Sequence, residues 1–121
     1  MIRTYRQIDT ERRGDVCCAR LHSLRLEEEA IHQLAEELID LATREGCNKL
    51  ALSLGPRAPQ CPYSVFLAKL MTVQRHLRQK GGALVLCEVS PEVRSVFEAC
   101  RLDQQFRFVK DFDEAVATWT T

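Results

Sequence analysis

Apolar residues recur along the chain at two spacings, and the change from one to the other marks out the elements. Ala30, Ile31, Leu34, Ala35, Leu38, Leu41 and Ala42 fall three and four residues apart, the stripe that one helical face buries. Glu28, Glu29, Glu36, Glu37 and Asp40 fall largely on the other side, a solvated face. Gly46 closes this helix, where a left-handed residue costs glycine little. A second helix is predicted over 64–80, with Phe66, Leu67, Leu70, Met71, Val73 and Leu77 as its apolar side, stopped by Gly81 and Gly82. Residues 5–11 and 16–21 read as strands joined at Gly14 and Asp15, residues that suit a hairpin turn. Residues 49–54 alternate partly, and 83–89 form a nearly continuous apolar run that suits a strand covered on both faces.

The later boundaries carry capping signals. Ser90, Pro91 and Glu92 supply an N-cap serine, a proline at the first helical position and an acid in the first turn. The helix they open runs through Val93, Val96, Phe97 and Cys100. Residues 106–109 read as a short strand. Asp111 with Glu114 three positions later resembles a capping box, opening a last helix with Ala115, Val116 and Trp119. Helices alternating with short strands after a hairpin give an α/β fold: a mixed, mostly parallel sheet with right-handed crossovers and about four helices. With 121 residues and no linker or repeat, residues 1–121 read as one domain.

Composition removes several function classes. Lys and Arg number 17, as do Asp and Glu, so the basic excess on which phosphate binding depends is missing and nucleic acid is not an expected partner. Arg12 with Arg13, and the basic residues from Arg75 to Lys80, read as solvated faces. Residues 1–6 are polar and basic, unlike a secretory leader, and no apolar stretch reaches the ~18 residues of a membrane span. The six cysteines contain no CxxC pair, so they are expected as free thiols in a reducing cytoplasm.

Catalytic chemistry finds little support. Gly81 and Gly82 follow a helix and precede a strand, the reverse of a phosphate-cradling loop. His22, His32 and His76 are scattered, so neither a metal site nor a cofactor is expected. Cys17 and Cys18, adjacent on a strand, point to opposite faces. Cys61 sits near a helix N-terminus, which lowers a thiol pKa, but no base is nominated beside it; a thiol enzyme using Cys61 is the weakest of the functional readings. The chain therefore reads as a binding module and not an enzyme. What remains is the junction of strand, loop and helix. Residues 55–62 hold three of the four prolines and form a stiff loop. Ser64 follows it, either as an N-cap or as a site where a phosphate would meet the helix dipole.

Several strings in this order resemble the STAS domain, shared by bacterial anti-sigma-factor antagonists and the cytoplasmic ends of sulfate transporters. They are Gly14-Asp15-Val16, the strand from Asn48 to Leu54, the helix–Gly81-Gly82–strand passage from Leu77 to Leu86, the stretch from Val89 to Phe97, and the turn from Arg101 to Phe106. The similarity spans essentially the whole chain. It implies a regulatory module that binds a protein partner, an anti-sigma factor or serine kinase, through the proline loop and the start of the second helix. Arg57, Gln60, Tyr63, Ser64, Val65 and Lys69 are the residues so nominated. Counting back from Gly81 and Gly82 places Tyr63-Ser64-Val65-Phe66 on the family's Asp-Ser-Ser-Gly-like motif, with Ser64 on the phosphorylated position. Tyr63 replaces the aspartate, Val65 and Phe66 replace small residues, and Ser53 stands where the central strand often ends in aspartate. The resemblance also implies, as an alternative, a domain sensing a lipid or nucleotide. Oligomeric state is left open between a monomer and a weak homodimer.

Overall fold

The hairpin anticipated at Gly14 forms one edge of the sheet. In the computed structural model, which describes residues 5–119, β1 (Ile8–Arg13) pairs antiparallel with β2 (Val16–Leu21), Ile8 opposite Leu21 and Arg13 opposite Val16. The remaining strands are parallel and so require crossovers. α1 (Glu28–Arg44) leads to β3 (Lys49–Ser53), and α2 (Tyr63–Gln79) leads to β4 (Ala83–Cys87). α3 (Pro91–Ala99) and a 3-10 turn at Asp103–Gln105 lead to β5 (Arg107–Val109), and α4 (Phe112–Thr118) follows. The strand order is sequential, β1-β2-β3-β4-β5. Residues 5–119 thus form the expected mixed, mostly parallel sheet with four α-helices. Among the described residues no helix is long and apolar enough to cross a membrane.

Strand alternation sorts the core into two layers. Cys17, Ala19, Leu50, Leu52, Leu84 and Leu86 pack with the buried stripes of α1 and α2 and with Val93 and Phe97 of α3. Val16, Cys18, Ala51, Val85 and Cys87 face the other way, under Phe112 and Ala115 of α4. Each fully buried leucine contributes roughly 1.5–3 kcal/mol, so the first and larger layer dominates stability. The two capping expectations hold: Ser90 Oγ accepts from the Val93 N–H at 3.3 Å, and Asp111 Oδ1 from the Glu114 N–H at 3.0 Å.

Four expectations need correction. β1 begins at Ile8 because the N–H groups of residues 6 and 7 turn to α1, although the Gln7 carbonyl still accepts from the His22 N–H at 2.8 Å. The Arg6 and Gln7 N–H groups each donate to the Glu37 carboxylate at 2.9 Å, and the Tyr5 hydroxyl lies 2.9 Å from Asp40 and 3.0 Å from Glu45. Burial and these two carboxylates push the Tyr5 phenol upward. Glu37, assigned by periodicity to the solvated face, is consequently buried, with 8% of its surface exposed. β4 stops at Cys87, short of Val89, because Glu88 turns into the left-handed region with φ 55°. The cysteines are not all free: Cys17 and Cys47 form a disulfide, their Cα atoms 6.1 Å apart. Parallel pairing sets Cys17 opposite Leu50, and Cys47 lies on the approach to that strand, so the register brings the two together. Cys18, Cys61, Cys87 and Cys100 are free thiols.

Gln74 plays a structural part that periodicity hides. β5 pairs with β4 only from Val85 onward, which leaves Leu84 at the open end of the ladder. The buried Gln74 amide fills that place. Its Oε1 accepts from the Leu84 N–H at 2.7 Å, and its Nε2 donates to the carbonyls of Leu84 at 3.2 Å and Gln105 at 2.8 Å.

Candidate functional site

The proline loop is held at both ends and in its middle. At its start, Gly55 lies so close to β4 that a Cβ there would overlap the Glu88 carbonyl, which explains glycine at this position. The Gly55–Pro56 peptide is cis. In the middle, Gln60 forms a parallel bridge with Arg25. Its N–H donates to the Leu24 carbonyl at 2.6 Å and its carbonyl accepts from the Leu26 N–H at 2.9 Å. At the far end, the Tyr63 hydroxyl donates to the Pro59 carbonyl, and the Tyr63 ring meets Phe66 edge-on at 6.2 Å. Pro59 is buried while Arg57 and Gln60 are exposed, so the loop turns these two polar side chains outward from a fixed main chain.

α2 begins one residue earlier than periodicity predicts, at Tyr63, and this changes the role of Ser64. Pro62 is the N-cap residue, its carbonyl accepting from the Val65 and Phe66 N–H groups at 3.1 Å each. Ser64 is therefore the second helical residue and not a cap. Its side chain is exposed and makes no hydrogen bond. The first turn contains no acidic residue, so no side-chain carboxylate there answers the N-terminal dipole. Val65 and Lys69, four residues apart, are half-buried along the same helix beside Ser64. The structure thus gathers Arg57, Gln60, Tyr63, Ser64, Val65 and Lys69 on the loop and the first turns of one helix.

Cys61 does not have the environment of an activated thiol. It is half-buried, and burial pushes its pKa up to about 11, opposite to the direction expected from a helix N-terminus. The Tyr63 phenol is also raised, chiefly by burial and then by Cys61 and Glu92.

Two groups of residues at this edge escape a reading of the sequence. The first is the connector Leu24–Leu26, whose main chain braces Gln60; only a short alternation, Leu24-Arg25-Leu26, hints at extended backbone. The second sits at the ends of β2, β3 and β4. The buried Ser53 hydroxyl donates to the Glu88 carboxylate at 2.7 Å, and Arg20 reaches the same oxygen at 2.8 Å. Arg20 also lies over the Phe112 ring, 4.5 Å from its centre. Glu88 thus supplies a carboxylate at the end of the central strand, where Ser53 stands in place of an acid. Clefts of about 430 Å³ beside Ser23, Arg25 and Glu29, and about 390 Å³ beside Thr10, Cys17 and Cys47, are not lined by Ser64.

Comparison with known proteins sets this geometry in context. Residues 64–115, from Ser64 through most of α4, match the family model of the STAS domain. The chain has the STAS fold. A Thermotoga maritima protein described as a candidate anti-sigma factor antagonist superposes with a TM-score of 0.76 at 20% identity, over 92% of each chain. The phosphorylated form of SpoIIAA, a Bacillus cell fate determinant, does so with a TM-score of 0.65 at 19% identity, over 92% of this chain and 97% of SpoIIAA. A serine-to-glutamate variant of RsbS from Moorella thermoacetica gives 0.75 at 16% identity, over 96% of this chain and all of the other. No curated protein matches the sequence significantly. The family match opens at Ser64, in the first turn of α2, and the proline loop precedes it.

Proposed function

We propose that this chain is a regulatory binding module, not an enzyme, that docks a partner protein of the anti-sigma-factor type through the proline loop and the start of α2. The observation that carries the reading is Ser64: an exposed hydroxyl, without a hydrogen bond, in the first turn of a helix that carries no acid there. A hydroxyl committed to capping would be withdrawn from a kinase, and this one is not. A phosphate on Ser64 gains from the helix dipole while adding close to two negative charges to the docking edge. That change favours or repels a partner by electrostatics alone and needs no refolding of the module. SpoIIAA, whose structures are described in both unphosphorylated and phosphorylated forms, supports the comparison. Val65 and Tyr63 supply half-buried apolar surface beside the serine, and Arg57 and Lys69 supply positive charge.

The test uses the host's serine-kinase-type anti-sigma factors as titrants. Binding is expected with one of them, weakened at least tenfold by Val65→Asp and by Arg57→Glu. With ATP, that partner should add one phosphate, and Ser64→Ala should prevent it. Binding that both docking variants leave unchanged would sink the docking edge. A clean mass spectrum with a partner that does bind would remove the switch and leave a constitutive binder.

A further inference from the structure

We propose that Cys17 and Cys47 form a redox site that exchanges with small disulfides and thiols through the cleft between β1, α1 and the approach to β3. Three observations meet at this place. The two sulfurs are joined across a sequence separation of 30 residues. Both residues are nearly inaccessible by surface, at 4% and 1%, so a bulky protein reductant does not reach them across an open face. Yet both line a cleft of about 390 Å³, whose other walls are Thr10, Glu11, Arg12, Leu41 and Glu45. That volume falls in the range of small-molecule sites. Its exposed walls carry one cation, Arg12, and two anions, Glu11 and Glu45, so a small peptide thiol would set a carboxylate against the first and its ammonium against the others. Two of the other cysteines are unsuited to the same chemistry. Cys18 and Cys87 are buried on the opposite face of the sheet, and burial raises both thiols, Cys87 to about 12.

The exchange balances without any further reagent. In the reduced protein, one thiolate attacks a small disulfide RSSR, forming a mixed disulfide and releasing one RS⁻. The second protein thiolate attacks the bonded protein sulfur and displaces the second RS⁻. Two electrons pass from the protein thiols to RSSR, and the two thiol protons end on two RSH molecules. Excess RSH reverses both steps. The segment closed by the bridge contains the Leu24–Leu26 connector and all of α1, so the oxidised and reduced chains differ in how tightly that half is tied to the sheet. The site stands independently of any docking at Ser64.

The experiment equilibrates the full chain across ratios of reduced to oxidised glutathione, quenches by alkylation in denaturant, and maps the peptides by mass. Cys17 and Cys47 should lose alkylation together in a single two-electron transition, as a 17–47 linked peptide, whereas the exposed Cys100 is blocked only singly, as a mixed disulfide with glutathione. Reduction should shift the unfolding equilibrium toward the unfolded chain by on the order of 10²–10³-fold, from the chain entropy of a loop this long. Thr10→Tyr, an exposed change at the cleft, should slow exchange severalfold with an unchanged midpoint. A double Cys17→Ala, Cys47→Ala variant should abolish the transition, whereas Cys61→Ala with Cys100→Ala should retain it. The proposal is overturned if both cysteines remain alkylatable in fully oxidised buffer. It is equally overturned if the Thr10→Tyr rate matches wild type and reduction follows global unfolding in its dependence on urea.

Discussion

Replacing Gln74 by leucine gives the sharpest check on how this sheet is finished. The side chain keeps nearly the same volume, so packing alone predicts a small change. Hydrogen bonding predicts a large one. The Leu84 N–H donates to the Gln74 amide inside the protein, and leucine leaves that donor without a partner, while the Leu84 carbonyl stays in the ladder with β5. Gln105 retains the Arg78 guanidinium at 2.8 Å and is less affected. One unsatisfied buried donor costs about 1–3 kcal/mol, and the expected loss is about 2 kcal/mol. Urea unfolding followed by circular dichroism reads this directly. With a slope of about 1–3 kcal/mol/M, the midpoint should fall by about 0.7–2 M. Gln74→Glu adds a signed test. Its ionised form faces the carbonyls of Leu84 and Gln105, so its folded pKa must lie above the unfolded value of about 4.3. Below that value both states are protonated and the variant suffers least. Destabilisation should then grow as pH rises from about 4.3 toward the folded pKa, and level off above it. A leucine variant that loses less than about 1 kcal/mol would refute the reasoning, as would a glutamate variant whose stability difference from wild type does not change between pH 4 and 8.

Other predictions concern separate parts of the molecule. Gly55→Ala should destabilise by about 1–3 kcal/mol, seen as a lower thermal midpoint, because its Cβ meets the Glu88 main chain and one strand end must move. Glu37→Ala should cost about 2 kcal/mol and speed hydrogen exchange at the Arg6 and Gln7 amides, the two donors it leaves unanswered. Unchanged exchange at those amides would show that the amino-terminal clamp is held by other contacts. Alkylation of Cys61 should keep accelerating about tenfold per pH unit up to its pKa of about 11, since only the thiolate reacts; a plateau near pH 8 would contradict the effect of its burial.

What could be read from the sequence was whatever depends on local order. The α1 stripe, the apolar run of β4 and the caps at Ser90 and Asp111 all express short-range periodicity or side-chain-to-backbone bonds within a few residues. The errors share a different cause, because each involves a partner distant in the chain. Glu37 looks solvated along its own helix and is covered by residues 5–7, some 30 positions earlier. Cys47 finds Cys17 only through strand register. Ser64 has the right residue type for a cap, yet Pro62 already occupies that position, and no propensity decides between helix starts two residues apart. The docking residues themselves were placed by family likeness and not by their own chemistry. Nothing local to Arg57 or Gln60 indicates that the loop turns them outward, or that Leu24–Leu26 holds them there.

That bracing has a kinetic meaning. With Gln60 bonded on both sides to the connector and Tyr63 tied back to Pro59, the loop has little main-chain freedom left to surrender when something lands on it. Ordering costs that weaken encounters with mobile loops are mostly settled during folding. Association at this edge should therefore proceed as one bimolecular step, its observed rate climbing linearly with partner concentration and without the saturation that a slow rearrangement imposes. The prolines and the connector make the surface a template: its contour is set before any partner arrives.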